Sequence, residues 1–361
     1  VVLAVQVGVD ARDGRQRQAR AVEERRRHGE ALEEIHRRER ALVTRVGARR
    51  RAVDAVVVIE QPRILQVVGI QFVGSRADLE ASRATVHKAL DLGITLFDTA
   101  DMYSGRGGSE IALGKILGAR RKEIVLASKF GMAMDDAGHL KGASRRYIMS
   151  AVEASLQRLQ TDWLDLYQLH RPDAETPMDE TLRALDDLVR QGKVRHIGCS
   201  NLPAWQVVDA IWRSRSGGLE AFVSAQDEYS LLRRGAESEL IPALLANGIG
   251  MLPYYPLASG LLTGKYKPGA MPEGARLTKY KSMADRIVSE RNWAVVERLA
   301  AFCDARGHTM LELAMSWLAS RPSVCSVIAG ATRPEQIEQN VAAVGWKLTA
   351  EELAEVDRLT A

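Results

Sequence analysis

The sequence has little cysteine: Cys199, Cys303 and Cys325 lie far apart in a chain of 361 residues. It contains no Cys-x-x-Cys motif and no zinc-type pairing of these cysteines with the seven histidines. A disulfide framework and a zinc module are thereby excluded as the basis of the fold, and no metal is implied. We expect a reduced, cytoplasmic protein.

Long apolar runs are absent as well. The opening run VVLAVQVGV has nine residues and no preceding basic residue, which is atypical of a membrane span or a signal peptide. No other run approaches the ~20 apolar residues that a membrane-spanning helix needs. We therefore expect no membrane partner.

Lysine is absent from the first 87 residues, whereas arginine is abundant there. Residues 1–53 hold 14 arginines and 8 acidic residues, a net charge of +6, while the whole chain carries +4. The rest of the chain therefore carries −2, which gives no support to a nucleic-acid partner. We expect residues 1–53 to form a charged helix or a disordered arm, separate from a domain at 54–361.

From residue 79 onward, amphipathic segments alternate with short apolar runs. Helical periodicity marks residues 79–92, 109–117, 144–159 and 181–190, with Ser109 and Ser144 as expected N-caps. The third segment carries an apolar stripe of Ile148, Val152, Leu156 and Leu159. Strand-like runs occupy residues 94–98, 124–129, 163–170, 194–199, 222–226, 249–254 and 324–329.

Strands separated by helical segments predict parallel pairing through right-handed crossovers. Seven such units fit a (β/α)8 TIM barrel, an α/β fold that typically takes about 250 residues. An eighth strand must precede residue 94, and its two apolar candidates are residues 55–59 (AVVVI) and 64–73 (ILQVVGIQFV). The N-terminal segment is thus atypical, and the choice of first strand stays open at this point.

Polar residues stand at the ends of three successive predicted strands: Asp98, Lys129 and His170. Tyr103 follows Asp98 by five residues, in the loop after the first of these strands. The carboxyl ends of barrel strands carry the chemistry of such folds, so we expect these side chains to share one pocket. A phenol with an ordinary pKa of about 10 needs a nearby cation to exchange a proton at neutral pH, and Lys129 supplies one.

Single residues in this set allow other interpretations. Lys129 can lower the pKa of Tyr103, form a Schiff base as in a barrel aldolase, or make a structural ion pair with Asp98. His170 alone is more typical of a packed or surface histidine, whereas at a pocket rim it can donate a hydrogen bond to a carbonyl oxygen. Tyr103 and His170 together favour carbonyl reduction.

In this order, Asp98, Tyr103, Lys129 and His170 resemble the catalytic residues of the aldo-keto reductase family, and the likeness runs from about residue 75 to the C-terminus. The resemblance implies a (β/α)8 barrel that reduces an aldehyde or ketone with NADPH, with these four residues as catalytic. One departure is the absence of the Leu-Gly-x-Gly-Thr type sequence with which the family usually begins.

Three further segments match the family: GCSN at 198–201, YYPLASGLLTGK at 254–265 and GATRPEQIEQN at 330–340. With Gln226, the resemblance implies the NADP-binding residues Ser200, Asn201, Gln226, Tyr254, Pro256, Leu257, Gly260, Leu262, Gly264, Lys265, Gly330, Thr332, Arg333, Gln336, Gln339 and Asn340. No Gly-x-Gly-x-x-Gly motif follows a strand, so a Rossmann-type site is not indicated.

Within residues 330–340, Arg333 is the only basic residue and supplies a planar cation suited to a phosphate monoester. Relatives with lysine at the Gly330 position use it on the cofactor, so Arg333 would carry more of that contact here. Thr332 and the following helix start offer hydrogen-bond donors. Gln339 stands where the family often has an acidic residue.

The family assigns the nicotinamide carboxamide to Ser200, Asn201 and Gln226, although a Ser-Asn pair after a strand also commonly caps a helix. Tyr254 would stack on the nicotinamide ring, with Tyr255 as the alternative. Trp205 and Trp317 are interpreted as packing residues.

The combined interpretation is an NADPH-dependent oxidoreductase that transfers a hydride to a small-molecule carbonyl substrate, with Tyr103 as the general acid. One rival is a non-catalytic, cofactor-binding sensor or accessory barrel, as known for channel-associated relatives. The other is a Schiff-base lyase that acts through Lys129. No motif indicates the particular carbonyl or an oligomeric state.

Overall fold

A computed structural model of the chain describes residues 65–69 and 79–361. The strands among these residues are β1 Leu65–Gly69, β2 Leu96–Asp98, β3 Val125–Phe130, β4 Leu164–Leu169, β5 Val194–Ser200, β6 Phe222–Glu228, β7 Gly250–Tyr254 and β8 Ser326–Ile328. They form one sheet in the order β7-β6-β5-β4-β3-β2-β1-β8, and every neighbouring pair is parallel. The seven strands predicted after residue 90 are confirmed, with bounds shifted by no more than two residues.

The second candidate for the first strand is confirmed, because β1 lies within residues 64–73. Its backbone pairs with β8 at Leu65 and Ser326, and with β2 at Gly69 and Asp98. The strand predicted at residues 55–59 and the charged segment predicted at 1–53 lie outside the described residues.

The two end strands of this order, β7 and β8, approach each other along the chain segment that leads into β8. The backbone N–H of Met251 donates to the carbonyl of Ser323 (2.7 Å), and the N–H of Cys325 donates to the carbonyl of Met251 (3.1 Å). The sheet is therefore curled, which is consistent with an α/β barrel.

Alternate strand positions face two different cores, as the two-residue period of a strand requires. A small inner cluster combines Leu96, Ala127, Leu166, Leu252 and Ile328, which come from five strands. The next residues along β2 and β4 are Phe97 and Tyr167. Both are buried in the larger core, where they lie among apolar residues of the helices.

The α-helices among the described residues are α1 Leu79–Asp91, α2 Tyr103–Arg106, α3 Gly108–Leu117, α4 Arg145–Leu159, α5 Met178–Arg190, α6 Ala204–Gly217, α7 Leu240–Asn247, α8 Arg276–Lys279, α9 Lys281–Ile287, α10 Glu290–Asp304, α11 Met310–Ala319, α12 Pro334–Ala342 and α13 Ala350–Thr360. None of them is both long and apolar enough to cross a membrane.

Helix α4 forms as its sequence predicts. The side chain of Ser144 accepts a hydrogen bond from the N–H of Tyr147, which caps the first turn, and the helix ends where Gln160 turns left-handed at a φ of 54°. Its predicted apolar stripe is buried against the core. Ser109, by contrast, is not an N-cap, because α3 begins at Gly108 and the hydroxyl of Ser109 accepts a bond from Thr99 instead.

The two tryptophans interpreted as packing residues differ. Trp317 on α11 is fully buried, which confirms that prediction. Trp205 is 66% exposed, so its interpretation as a packing residue was wrong. It lies in the first turn of α6, whose buried stripe runs instead through Val207, Ala210 and Ile211.

Candidate active site

The strand order brings the predicted catalytic residues onto neighbouring strands at one edge of the sheet. Asp98 is the last residue of β2, Lys129 is near the end of β3, and His170 follows β4. The N–H of His170 donates to the carbonyl of Phe130 (2.9 Å), so the chain stays in register one residue beyond β4. Tyr103 begins α2, directly after the loop that leaves β2.

Lys129 is the centre of this group and is fully buried. Its ammonium forms an ion pair with the carboxylate of Asp98 and donates to the carbonyl of Thr99 (3.0 Å). It also donates to the phenol oxygen of Tyr103 (3.3 Å). Because that oxygen accepts the bond from Lys129, the phenol proton remains to be donated to another group.

The protonation states of the pair follow from burial and charge. Burial lowers the pKa of Lys129, but the charge of Asp98 and the contact with Tyr103 outweigh it, so the pKa is raised and the amine stays an ammonium. Burial also raises the pKa of Tyr103, while Lys129 lowers it as expected from the sequence. The net pKa of Tyr103 is raised, and the phenol therefore keeps its proton at neutral pH.

His170 meets Tyr103 edge to face, with ring centroids 5.7 Å apart. Burial, and next the charges of Lys129 and Arg171, together lower the pKa of His170 to about 3. The imidazole is therefore neutral at physiological pH and carries one N–H donor. Its Nδ1 is buried and has no hydrogen-bond partner among the described residues.

The second oxygen of Asp98 is held by two amides. The side-chain nitrogen of Gln168 donates to it at 3.1 Å, and that of Gln226 donates at 3.0 Å. Gln226 thus contacts the Asp98–Lys129 pair in this structure. The sequence analysis missed Gln168, although a signal existed: it stands two residues before His170 on β4, so both side chains leave the strand on the same face.

Ser200, Asn201 and Tyr254 form one hydrogen-bonded group. Asn201 has a left-handed φ of 61°, and its amide donates to the carbonyl of His170 (3.1 Å) and to the hydroxyl of Ser200 (2.9 Å). Ser200 in turn donates to the carbonyl of Gln226 (2.7 Å), and Tyr254 donates to Asn201 (2.7 Å). The capping interpretation of this pair was wrong, because α6 has no side-chain cap.

The Tyr254–Tyr255 doublet divides its contacts. Tyr254 is tied to Asn201, whereas Tyr255 acts electrostatically on Tyr103 and raises its pKa slightly. Tyr255 has a left-handed φ of 51°, and Ser259 and Gly260 follow with φ of 57° and 97°. Left-handed backbone of this kind in non-glycine residues is costly and concentrates at functional sites.

Within the 254–265 segment, Pro256 and Leu262 are buried, Leu257 is half-buried, Lys265 is exposed, and Gly260 and Gly264 turn left-handed. Burial lowers the pKa of Lys265, and the charges of Arg333 and Arg276 lower it further. Three cations from distant parts of the sequence therefore lie close together. Neither Lys265 nor Arg333 forms an ion pair with a carboxylate of the described residues.

Arg276 begins α8 and was missed by the sequence analysis. Nothing in the loop between residues 265 and 276 distinguishes it, because its proximity to Lys265 depends on how that loop folds back. Its guanidinium also lies over the ring of Tyr255, with the carbon 5.4 Å from the ring centroid.

The 330–340 segment places Arg333 at the N-cap position of α12, with Pro334 as the first helical residue. Thr332 directs both its N–H (2.8 Å) and its hydroxyl (3.2 Å) to the side-chain oxygen of Gln336. The donors expected of Thr332 are thus engaged inside the protein. Gly330, Arg333 and Gln339 are exposed, Gln336 is half-buried and Asn340 is buried.

The residues present fit a dinucleotide of the nicotinamide type. Lys265 and Arg333, which form no ion pair with a carboxylate among the described residues, match phosphates, and a left-handed backbone segment at residues 255–260 precedes Lys265 in the chain. The buried, unpartnered Nδ1 of His170 marks the same pocket as a place where polar groups are not all satisfied by the protein.

Comparison with known proteins identifies the family. The sequence model of the Aldo/keto reductase family matches residues 68–361. The chain is 37% identical over 279 residues to the probable voltage-gated potassium channel subunit beta of Arabidopsis thaliana, covering 75% of this chain and 84% of that protein. It is 35% identical over 291 residues to L-glyceraldehyde 3-phosphate reductase of Escherichia coli (strain K12), covering 78% and 84%. It is 34% identical over 301 residues to versiconal hemiacetal acetate reductase of Aspergillus parasiticus, covering 76% and 85%. The chain therefore belongs to the aldo-keto reductase family.

Proposed function

We propose that this chain is an NADPH-dependent reductase that converts a small aldehyde or ketone to an alcohol, on a complete (β/α)8 barrel. The family generally uses nicotinamide cofactors and acts on small carbonyl substrates. The observation that carries the proposal is the buried Lys129 ammonium, which bonds to both Asp98 and the phenol oxygen of Tyr103.

Tyr103 is the proton donor in this proposal. Its raised pKa keeps the phenol protonated, and Lys129 stabilises the phenolate that forms when the proton leaves for the carbonyl oxygen. The bound nicotinamide cofactor supplies the hydride. His170, as a neutral imidazole, orients the carbonyl oxygen by donating a hydrogen bond.

The cofactor-binding role rests on two groups of residues. Ser200, Asn201 and Tyr254 lie beside His170 and are interconnected, which suits a fixed platform for the nicotinamide end. Lys265 and Arg333 carry positive charge without a carboxylate partner in the described part of the chain, which suits the phosphates, and the planar guanidinium of Arg333 favours the monoester of NADPH.

The test is oxidation of NADPH, followed by its absorbance, with a panel of aldehydes and ketones that includes phosphorylated aldehydes. Tyr103→Phe is expected to lower kcat by about 10²–10⁴-fold, because general acid catalysis contributes that much. Its Kd for NADPH is expected to stay unchanged. Tyr229→Phe is the matched control, since the hydroxyl that it removes from this buried tyrosine bonds to Glu237, which is outside the candidate site. Near-normal turnover by Tyr103→Phe would contradict the assignment.

A second candidate function is a cofactor-binding accessory subunit without turnover. The relative named as a probable voltage-gated potassium channel subunit beta favours it. In that case the wild-type protein binds NADPH in a fluorescence titration but oxidises it with no carbonyl of the panel.

The Schiff-base lyase is disfavoured by the state of Lys129. A Schiff base needs the free amine, whereas the raised pKa of Lys129 keeps an ammonium paired with Asp98. Trapping of a substrate adduct on Lys129 by borohydride would reverse this conclusion.

A further inference from the structure

A second buried charge network lies beside the catalytic group and has no part in the proton transfer. Glu110 on α3 is fully buried and accepts hydrogen bonds from Ser128 (2.5 Å) and from Nε of Arg158 on α4 (2.7 Å). Asp101 is 1% exposed, and one of its oxygens accepts a long bond from the hydroxyl of Tyr147 (3.4 Å). Its other oxygen has no hydrogen-bond partner among the described residues.

The charges of this network act on one another. Burial, and next the charge of Glu110, raise the pKa of Asp101 to about 7, while the charge of Arg158 and the backbone amide of Met102 oppose that rise. Arg158 forms its ion pair with Glu110 and acts on Asp101 through its charge, so the two carboxyl groups and the guanidinium form one electrostatic group. Such a group is costly to bury, and its arrangement depends on all three members.

The network contacts both partners of the Tyr103–Lys129 hydrogen bond through the backbone. Ser128, which bonds to Glu110, is the residue before Lys129. Asp101 stands two residues before Tyr103, and its N–H donates to the carbonyl of Lys129 (3.2 Å). A shift of the network therefore moves the phenol and the ammonium relative to each other.

The chain just after Tyr103 needs such support. Ser104, Gly105, Arg106 and Gly107 are all left-handed, with φ of 56°, 78°, 65° and 105°. Left-handed conformations of non-glycine residues persist only where the surroundings hold them. Arg158 contacts this segment directly, because a Cβ on Gly107 would lie only 2.6 Å from Cδ of Arg158.

We propose that Asp101, Glu110 and Arg158 form a positioning network that holds the strained segment 104–107 and thereby sets the phenol of Tyr103 against Lys129. The effect of this network on catalysis rests on the proposed reductase function. The effect of the network on the position of the Tyr103 phenol is independent of that function.

The kinetic test uses Arg158→Met, which keeps the length of the stem and removes the charge. A small misplacement of a catalytic group can cost about 10²-fold, so we expect kcat to fall by roughly 10- to 100-fold. KM and the Kd for NADPH are expected to change little, because the network does not reach the cofactor residues. Arg158→Lys, which retains the charge, is expected to recover most of the loss.

Arg121→Met is the matched control. Arg121 likewise pairs its guanidinium with a buried carboxylate, that of Asp165, but it lies at the opposite ends of the strands. It is expected to lower Tm without lowering kcat per mole of cofactor-binding protein. If Arg158→Met does not fold, Asp101→Asn serves in its place, since it keeps the shape and removes a carboxylate that burial already disfavours.

The position of the phenol is read separately by ¹⁹F NMR of protein labelled with 3-fluorotyrosine, in which Tyr103→Phe identifies the Tyr103 signal among the eight tyrosines. The proposal expects this signal to move or broaden in Arg158→Met and Asp101→Asn, and to stay in place in Arg121→Met. An unmoved signal in the first two variants overturns it. If the wild-type protein reduces no carbonyl, the reductase proposal fails, while the ¹⁹F result still decides the positioning role.

Discussion

Two buried ion pairs lie at opposite ends of the same strands. The amino-end cluster, Arg121, Asp165, Trp163 and Arg195, surrounds the starts of β3 and β4. The carboxyl-end cluster, Asp98, Tyr103, Lys129 and His170, surrounds their ends. Both combine a buried cation with a buried carboxylate, yet only the second has the features of an active site.

The amino-end cluster is saturated by structural partners. The guanidinium of Arg121 donates to Thr161 and to the carbonyls of Ile124 and Trp163, at 3.1, 3.3 and 2.7 Å. It also lies over the ring of Trp163, 4.6 Å from the centroid. Apart from Asp165, each partner of the guanidinium is a hydroxyl or a carbonyl that does not exchange a proton at neutral pH, so the cluster holds the strands together.

The carboxyl-end cluster differs in where its third donor goes. Lys129 uses one N–H on Asp98, one on the carbonyl of Thr99 and one on the phenol of Tyr103, which can release a proton. Arginine suits a fixed structural charge because it stays protonated, whereas lysine presents a compact charge that responds to its surroundings. In this comparison, a buried ion pair alone does not distinguish the candidate site, whereas a buried cation that also bonds to a phenol able to donate its proton does.

The largest predicted effect tests this distinction directly. Lys129→Met leaves the buried carboxylate of Asp98 without its cation and is expected to cost about 3–5 kcal/mol of stability. Arg121→Met is expected to cost less, because Asp165 keeps its ion pair with Arg195 (3.0 Å). Only Lys129→Met is expected to abolish turnover, because only it removes the charge that stabilises the Tyr103 phenolate. Denaturant unfolding and carbonyl reduction per mole of folded protein measure both quantities. Loss of turnover in folded Arg121→Met would break the comparison.

The carboxyl-end cluster was predictable from the sequence because polar residues follow apolar strands, and parallel strands end at the same edge. Gln168 could have been predicted by the same reasoning, since it shares the face of His170. The net pKa shift of Tyr103 could not be predicted, because the effect of burial exceeds that of Lys129 and burial is a property of the folded packing.

Contacts between segments that are distant in the sequence could not be predicted, for a different reason. Glu110 and Arg158 are separated by 48 residues, and neither belongs to a motif. The proximity of Arg276 to Lys265 depends on a loop without periodicity. Trp205 was misread because a tryptophan on a helix is usually buried, and only the orientation of α6 shows that this one is exposed.

The second-largest predicted effect concerns cofactor affinity and the cations Lys265 and Arg333. Unlike Arg121 and Lys129, these two form no ion pair with a carboxylate of the described residues. NADPH and NADH differ by one phosphate, and a charge-assisted contact with Arg333 is worth roughly 1.5–3 kcal/mol, or about 10- to 150-fold in affinity. Arg333→Ala is therefore expected to weaken NADPH by that factor and to leave NADH nearly unchanged. Fluorescence titrations of both cofactors measure this.

Lys265 provides the contrast for that prediction. It comes from the 254–265 segment, whereas Arg333 is the N-cap residue of α12, and both side chains are exposed. If Arg333→Ala weakens NADPH and NADH equally, Arg333 serves the shared pyrophosphate or the fold, and Lys265 becomes the better candidate for the extra phosphate.

The smallest effect is a pH dependence confined to the carboxyl-end cluster, since the amino-end cluster contains no histidine. The pKa of His170 is lowered to about 3 in the folded protein, against about 6.5 in the unfolded chain. Between these values the unfolded chain binds more protons, so stability falls as the pH is lowered through this window. Above about pH 6.5 neither state binds the proton, and His170 contributes no slope.

Removing the imidazole separates the pH dependence of stability due to His170 from that due to the carboxylates, some of which change stability in the opposite direction. Asp101 is one of these, because its raised pKa of about 7 makes its contribution to stability decline as the pH rises from about 4 towards 7. His170→Gln is therefore compared with His196→Gln, an exposed histidine on β5, by denaturant unfolding at several pH values. The His170→Gln curve is expected to be flatter than the control between pH 6.5 and 5, by at most about 1.4 kcal/mol per pH unit. Parallel curves would mean that the folded protein accepts the proton on His170, and that its imidazole is less enclosed by Lys129 and Tyr103 than the carboxyl-end cluster requires.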